Sequence, residues 1–308
     1  MFYSEKCKKM YLDIGNGHEI YCELFGNPNG KKIIFLHGGP GLGCSEKDKQ
    51  FFDPEKHHVI FFDQRGSNKS KPNGTFENNN TQALVKDISS ILDFFQFEKA
   101  VFFGGSWGSA LSLIYAIQNP DRVEALILRG LFLATEEETK TFFTNDLAAK
   151  VHPIAWKKFN DFLPDNQKDN INYYYDEMIL QEDDLSLARK YAFELAKYSY
   201  WVSKNNPAVI DVESLKTDAL FTKLKIQSYF SSNGFFIPPH YIMDNIDQIG
   251  TIPTYIVHGK QDVICLVESS ERLHEKLPNS TLKIVEGGHS SSEPAIYKVL
   301  LEFLEEVD

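Results

Sequence analysis

Apolar residues recur along this chain in two rhythms, and the changes between them set its organisation. Residues 9–14 and 18–25 read as two strands joined through Gly15-Asn16-Gly17, a turn that favours a hairpin because Asn and Gly tolerate positive φ. Short unbroken apolar runs follow at 32–36 (KIIFL), 58–63 (HVIFFD), 100–103 and 123–128. Runs of this length without polar alternation suit strands covered on both faces, as in a parallel sheet. Between them, residues 81–95 place Leu84, Val85, Ile88, Ile91, Leu92 and Phe95 at helical spacing. From about 131 to 248 the strand rhythm stops. Helical patterns rich in charged and aromatic residues take over at 155–163, 171–181, 185–201 and 209–220. The strand rhythm resumes at 253–257 and 281–285, and residues 297–305 close as a helix. This alternation predicts an α/β fold, a mostly parallel sheet with helices on both faces. The expected organisation is a core domain from residues 1–130 and 249–308, interrupted by a helical cap domain at 131–248.

A chain of 308 residues is long enough for one large domain carrying such an insertion. The formal net charge of -11 argues against nucleic acid or an anionic membrane surface as partner. The 24 Phe have no basic stripe beside them, so they read as core and as lining of an apolar site rather than as a stacking platform for bases. Cys7, Cys22, Cys44 and Cys265 show neither metal-ligand spacing nor a disulfide framework. Neither a secretory leader nor an apolar run long enough to span a membrane is visible, and a cytoplasmic location is the expectation.

The chemistry centres on residues 101–114, VFFGGSWGSALSLI. An apolar strand meets Gly104-Gly105-Ser106-Trp107-Gly108, and a helical pattern follows. This is the G-x-S-x-G elbow, in which a serine sits on a sharp strand-to-helix turn and glycines two positions away avoid a clash. A serine hydroxyl needs a base, and the base needs an orienting acid. In sheets of this kind the partners follow in the order acid, then histidine, after late strands. Asp262 follows the 253–257 strand in VHGKQD, and His289 follows the last strand in VEGGHS. Ser106, Asp262 and His289 are therefore the candidate triad. His258 is the rival histidine, but it precedes the acid and sits at a strand end. An oxyanion hole needs two N–H donors. Trp107, after the nucleophile, supplies one, and Gly39 in the loop His37-Gly38-Gly39-Pro40-Gly41 supplies the other.

Six stretches, HGGPG (37–41), FDQRGS (62–67), GGSWGSALSLIYA (104–116), LILRGLF (126–132), VHGKQDVIC (257–265) and GGHSSSEP (287–294), run in the order found in the proline iminopeptidase (prolyl aminopeptidase) family of α/β-hydrolases. The chain resembles that family over nearly its whole length. The resemblance implies release of an N-terminal proline, or another small residue, from peptides through an acyl-enzyme. It implies no metal or organic cofactor, and it maps the same triad. An exopeptidase must also bind a free amino group, which calls for buried carboxylates. The resemblance puts these acids on the cap, one after a tryptophan and one before a tyrosine. The matching positions here are Trp201-Val202 and Gln227, with Tyr229 close by. Both expected acids are replaced, which keeps a carboxylesterase or amidase on the same scaffold open as the alternative. Glu177, Glu194 and Asp211 are the other cap acids that could take the role.

Overall fold

Eight strands form one sheet in the computed structural model, which describes residues 7–144, 146–181, 183–205 and 211–308. β1 (Cys7–Asp13) and β2 (Glu19–Gly26) make the expected antiparallel hairpin, with Gly15, Asn16 and Gly17 all at positive φ. β3 (Lys31–Leu36), β4 (His57–Phe62), β5 (Ala100–Ser106), β6 (Val123–Leu131), β7 (Thr254–Gly259) and β8 (Ser280–Val285) follow. Their order across the sheet is β1-β2-β4-β3-β5-β6-β7-β8. β2 and β4 pair antiparallel, and every pair from β4 to β8 is parallel.

Both faces of β3 to β7 are covered, which explains their unbroken apolar runs. Ile34, Leu36, Ile60, Phe62 and Phe102 share one cluster with α1 (Thr81–Phe94) and α2 (Trp107–Gln118). α1 begins where Asn80 accepts a hydrogen bond from the Ala83 N–H.

Between β6 and β7 the chain is helical: α3 (Glu136–Thr144), α4 (Asp146–Val151), α5 (Pro153–Phe162), α6 (Ile171–Leu180), α7 (Leu185–Val202), α8 (Asp218–Ser232) and the short α9 (Tyr241–Asn245). This segment has its own aromatic core, in which Phe159 stacks on Tyr175 and Tyr198 with centroids 4.6 and 4.2 Å away. The helix expected at 209–220 is not continuous. Residues 209 and 210 lie outside the described residues. Beyond them, Asp211 caps a short turn at Val212–Leu215, and Thr217 caps the start of α8 through the Leu220 N–H. Two capping side chains in quick succession start two elements where periodicity alone suggested one. Further on, Phe230, Phe235, Ile242, Met243, Ile246 and Ile249 return to the sheet and join the cluster of α2.

α10 (Val267–Lys276) escaped the sequence reading because its core-facing side carries Ser269, Ser270 and only one large apolar residue, Leu273. α11 (Pro294–Val307) closes the opposite face of the sheet, where Ile296, Leu300 and Phe303 meet Ile33, Phe35, Val59, Phe61 and Phe103.

The loop after β4 is pinned by a buried ion pair. Arg65 donates to both carboxylate oxygens of Asp87 on α1, at 2.6 and 2.8 Å, and to the Asn78 carbonyl at 2.8 Å. Both side chains are almost fully buried. Removing one member strands the other charge in the interior. Arg65→Ala is expected to cost about 3–5 kcal/mol, against less than about 1 kcal/mol for Lys31→Ala at the more exposed Lys31–Glu124 pair. Denaturant unfolding of the two variants measures the difference.

Candidate active site

Every candidate catalytic group lies at the C-terminal end of a parallel strand. Ser106 ends β5 with φ 57 and ψ −126, a conformation that side chains rarely adopt. Crowding around it explains the glycines. A Cβ on Gly104 would stand 2.3 Å from the Gly108 carbonyl oxygen, and one on Gly108 would stand 2.1 Å from that of Leu36. Trp107 opens α2, so its N–H belongs to the first turn, whose donors have no intrahelical partner.

The loop after β3 lies against this turn. A Cβ on Gly38 would touch the Gly105 carbonyl at 3.2 Å and Ser106 Cβ at 3.5 Å. A short polar chain holds the loop there. Trp107 Nε1 donates to Gln64 Oε1 at 2.9 Å, and Gln64 Nε2 donates to the His37 carbonyl at 2.9 Å. The Gln64 N–H donates to His37 Nε2 at 2.9 Å, which leaves His37 Nδ1–H to donate to the Gly38 carbonyl, also at 2.9 Å. Burial pushes His37 down to about 4, only partly opposed by the Gly38 bond, so the ring is neutral as these partners require. The sequence reading left Gln64 without a role; its signal was the FDQRGS stretch that ends β4.

β6 slips register beside the nucleophile: Gly105 pairs with Arg129, but Ser106 pairs with Leu131. The residue skipped is Gly130, at φ 54, and a Cβ on it would stand 3.1 Å from the His289 ring and 3.3 Å from Asp262 Oδ2. The irregularity makes room for the acid–histidine pair. His289 Nδ1 donates to Asp262 Oδ2 at 2.7 Å. Asp262 Oδ1 accepts from the N–H groups of Ile264 and Cys265 at 2.8 and 3.0 Å. His258, the rival histidine, stands behind the acid, with its Nε2 3.3 Å from Asp262 Oδ2 and 3.0 Å from the Cys265 carbonyl, while Ser270 Oγ lies 2.6 Å from its Nδ1. Burial alone would raise the Asp262 carboxyl, but His289 and His258 outweigh it and hold it well below the usual carboxylate range.

His289 is lowered from its ordinary value. Burial is the main cause and the nearby Arg129 charge adds to it, against the opposing pull of Asp262. The ring is thus a neutral base at neutral pH, with Nε2 free of its own proton. Arg129 occupies that side, with Nη1 3.2 Å from Nε2 and donating to the His289 carbonyl at 2.8 Å. Gly105 allows this approach, since a Cβ there would lie 2.3 Å from the guanidinium.

Ser106, Gly39, Arg129 and His289 line a cavity of about 460 Å3. Phe132, Phe142, Phe143 and Phe235 also line it, and Phe235 stacks on Trp107 at 5.5 Å. From the helical segment, Leu195, Ala196, Ser199, Tyr200 and Ser203 face it on one side and Leu220, Lys223, Leu224, Gln227 and Ser231 on the other. Both sets step by three and four, as one helix face should. That phase corrects three of the four substrate-contact expectations. Gln227 lines the cavity. Trp201 points instead to a separate surface pocket with His152 and Pro153, and Val202 is buried in the aromatic core of the segment. Tyr229 stacks on Phe76 at 4.4 Å. Asp176, Glu138 and Lys223, charged residues that the sequence reading passed over, also line the cavity. No group of residues suited to a metal ion occurs among the described residues.

Comparison with known proteins agrees with the fold. The α/beta hydrolase fold family model matches residues 31–295. A proline iminopeptidase from Arabidopsis thaliana is 37% identical over 92% of this chain and 76% of its own length. A probable proline iminopeptidase from Leptolyngbya boryana is 38% identical over 94% and 91%. Among solved structures, an esterase from Exiguobacterium antarcticum superposes with a TM-score of 0.68 at 20% identity, covering 97% of this chain and 99% of that one; this likeness speaks to the fold alone.

The Arg129 charge beside His289 gives a pH prediction. It favours the neutral ring, so its removal makes the ring easier to protonate. In Arg129→Met the acid limb of kcat/KM for p-nitrophenyl acetate is expected to move to higher pH than in the unmodified enzyme. A pH–rate profile of both proteins measures the shift.

Proposed function

Because the chain belongs to the proline iminopeptidase family of α/β-hydrolases, we propose that Ser106, His289 and Asp262 are the catalytic triad with which this prolyl-aminopeptidase-like serine hydrolase frees the first residue of a peptide. The observation that carries the assignment is the 2.7 Å bond from His289 to Asp262 in a cavity that His289 shares with Ser106. Ser106 Oγ attacks the first peptide carbonyl while His289 Nε2 takes its proton. Asp262 keeps Nδ1–H in place and steadies the imidazolium that forms. The N–H groups of Gly39 and Trp107 receive the oxyanion. His289 then returns the proton to the departing amine, and water cleaves the acyl-enzyme by the reverse sequence. This acyl transfer calls for no metal or organic cofactor.

The helical segment 131–248 acts as a cap over the site. Its phenylalanines and the limited cavity volume favour a small apolar residue such as proline at the reacting end, and short peptides as substrates. The protein works in the cytoplasm on peptides.

The test is hydrolysis of proline p-nitroanilide, acetyl-proline p-nitroanilide and p-nitrophenyl acetate. Free proline anilide should be the best anilide, with acetylation abolishing its cleavage. Ser106→Ala should lower turnover on the order of ten-thousand-fold or more while remaining folded. Retained turnover in folded Ser106→Ala would sink the mechanism. Equal cleavage of the acetylated anilide would assign the enzyme to the esterase and amidase alternative.

A further inference from the structure

A peptide entering this cavity amino end first brings a positive charge out of water. Its cost is offset only by an anion already inside. Among the described residues, two carboxylates line the cavity, Glu138 and Asp176. Glu138 is already engaged. Its Oε2 accepts from the Leu133 and Thr135 N–H groups at 2.9 and 3.2 Å, and its Oε1 accepts from Ser269 Oγ at 2.6 Å. These bonds tie the start of α3 to α10.

Asp176 differs. It is 5% exposed, on the buried side of α6 beside Tyr175 and Ile179. The other acids considered on this segment face elsewhere: Glu177, one residue on, is exposed, Glu194 pairs with Lys197, and Asp211 caps the turn before α8. Among the described residues no lysine, arginine or histidine forms an ion pair with Asp176. Burial pushes its carboxyl up to about 7, opposed by the hydroxyls of Ser231 and Ser228 on α8. A buried carboxylate without a cation lowers stability, and it persists where a bound ligand completes it.

We propose that Asp176 is the anion that receives the substrate's free amino group, with Gln227, which lines the same cavity, as a neutral acceptor. The assignment rests on the aminopeptidase reading and names a specificity residue for it. Binding of the ammonium supplies the missing partner and holds the first carbonyl over Ser106.

The experiment compares kcat/KM for proline p-nitroanilide with that for p-nitrophenyl acetate in the unmodified enzyme, Asp176→Asn and Asp176→Glu, together with their melting temperatures. In Asp176→Asn the anilide-to-ester ratio should fall about tenfold or more, the size of one charge-assisted hydrogen bond. The fall should be carried mainly by KM. Asp176→Glu should recover part of it. The melting temperature of Asp176→Asn should not drop, because a desolvated charge has been removed, whereas a purely structural carboxylate would leave the ratio unchanged and lower the melting temperature. Should Asp176→Asn fail to fold, Asp176→Ser is read by the same ratio. A ratio within twofold of the unmodified enzyme, with that enzyme still rejecting acetyl-proline anilide, overturns the assignment alone. Indifference of the unmodified enzyme to acetylation overturns the aminopeptidase reading and the assignment with it.

Discussion

The reversal of the chain at Ser106 leaves no space for side chains around it, and the neighbouring strands are arranged to respect that. Gly104 and Gly108 close the turn against each other and against the Leu36 carbonyl, at distances where a Cβ could not stand. That closeness brings the end of β3 beside the serine, so the 37–39 loop reaches the site without any long excursion. It also brings β6 near, and the register slip at Gly130 gives the Asp262–His289 pair its place. The strained backbone of Ser106 persists because packing on all sides over-determines it: Trp107 is fully buried, and Ser109 Oγ bonds the Ser106 carbonyl at 2.6 Å while accepting from the Phe132 N–H.

Around this turn, polar groups divide by whether their bonds are complete. Asp262 has two backbone donors and two histidines, and Arg65 has a carboxylate and a carbonyl. These are closed networks that fix geometry. Arg129 is less complete: its Nε has no partner among the described residues, and its Nη1 reaches His289. A fixed positive charge there favours a neutral imidazole, the form in which Nε2 can accept a proton from a hydroxyl.

The parts of the molecule legible in the sequence are those whose signals are local. The strands β3 to β7 are visible as short apolar runs because both of their faces are covered. Ser106, Asp262 and His289 could be named because strand ends and glycine turns mark where such groups must stand. The cap contacts could not be named the same way, since on a helix one residue is a hundred-degree turn. Asp176 and Glu177 are neighbours in sequence, yet only Asp176 falls on the buried side with Tyr175. Trp201 and Val202 lie next to Tyr200 and Ser203 in sequence, but those two face the cavity while Trp201 faces outward and Val202 faces the core. Helix phase is set by what packs on the far side, here the Phe159, Tyr175 and Tyr198 cluster, and no short motif reports it. α10 was hidden for a related reason: serines fill the close contacts that apolar residues usually mark.

That aromatic cluster also bears on how the cavity can hold charge. Lys223, which burial shifts below its ordinary value, and Asp176, which burial shifts above its own, project from α8 and α6, two helices that share one apolar cluster through Leu224 and Tyr175. Apolar packing on one side of α6 and α8 thus carries the stability that incompletely paired groups on the cavity side give up. The division of labour follows the sheet below. There too the closed networks and the apolar runs hold position, while Arg129, whose Nε has no partner among the described residues, borders the cavity. A side chain with unsatisfied bonding capacity costs the empty protein and rewards the filled one, so the ligand's contribution falls where the polypeptide's own bonding stops.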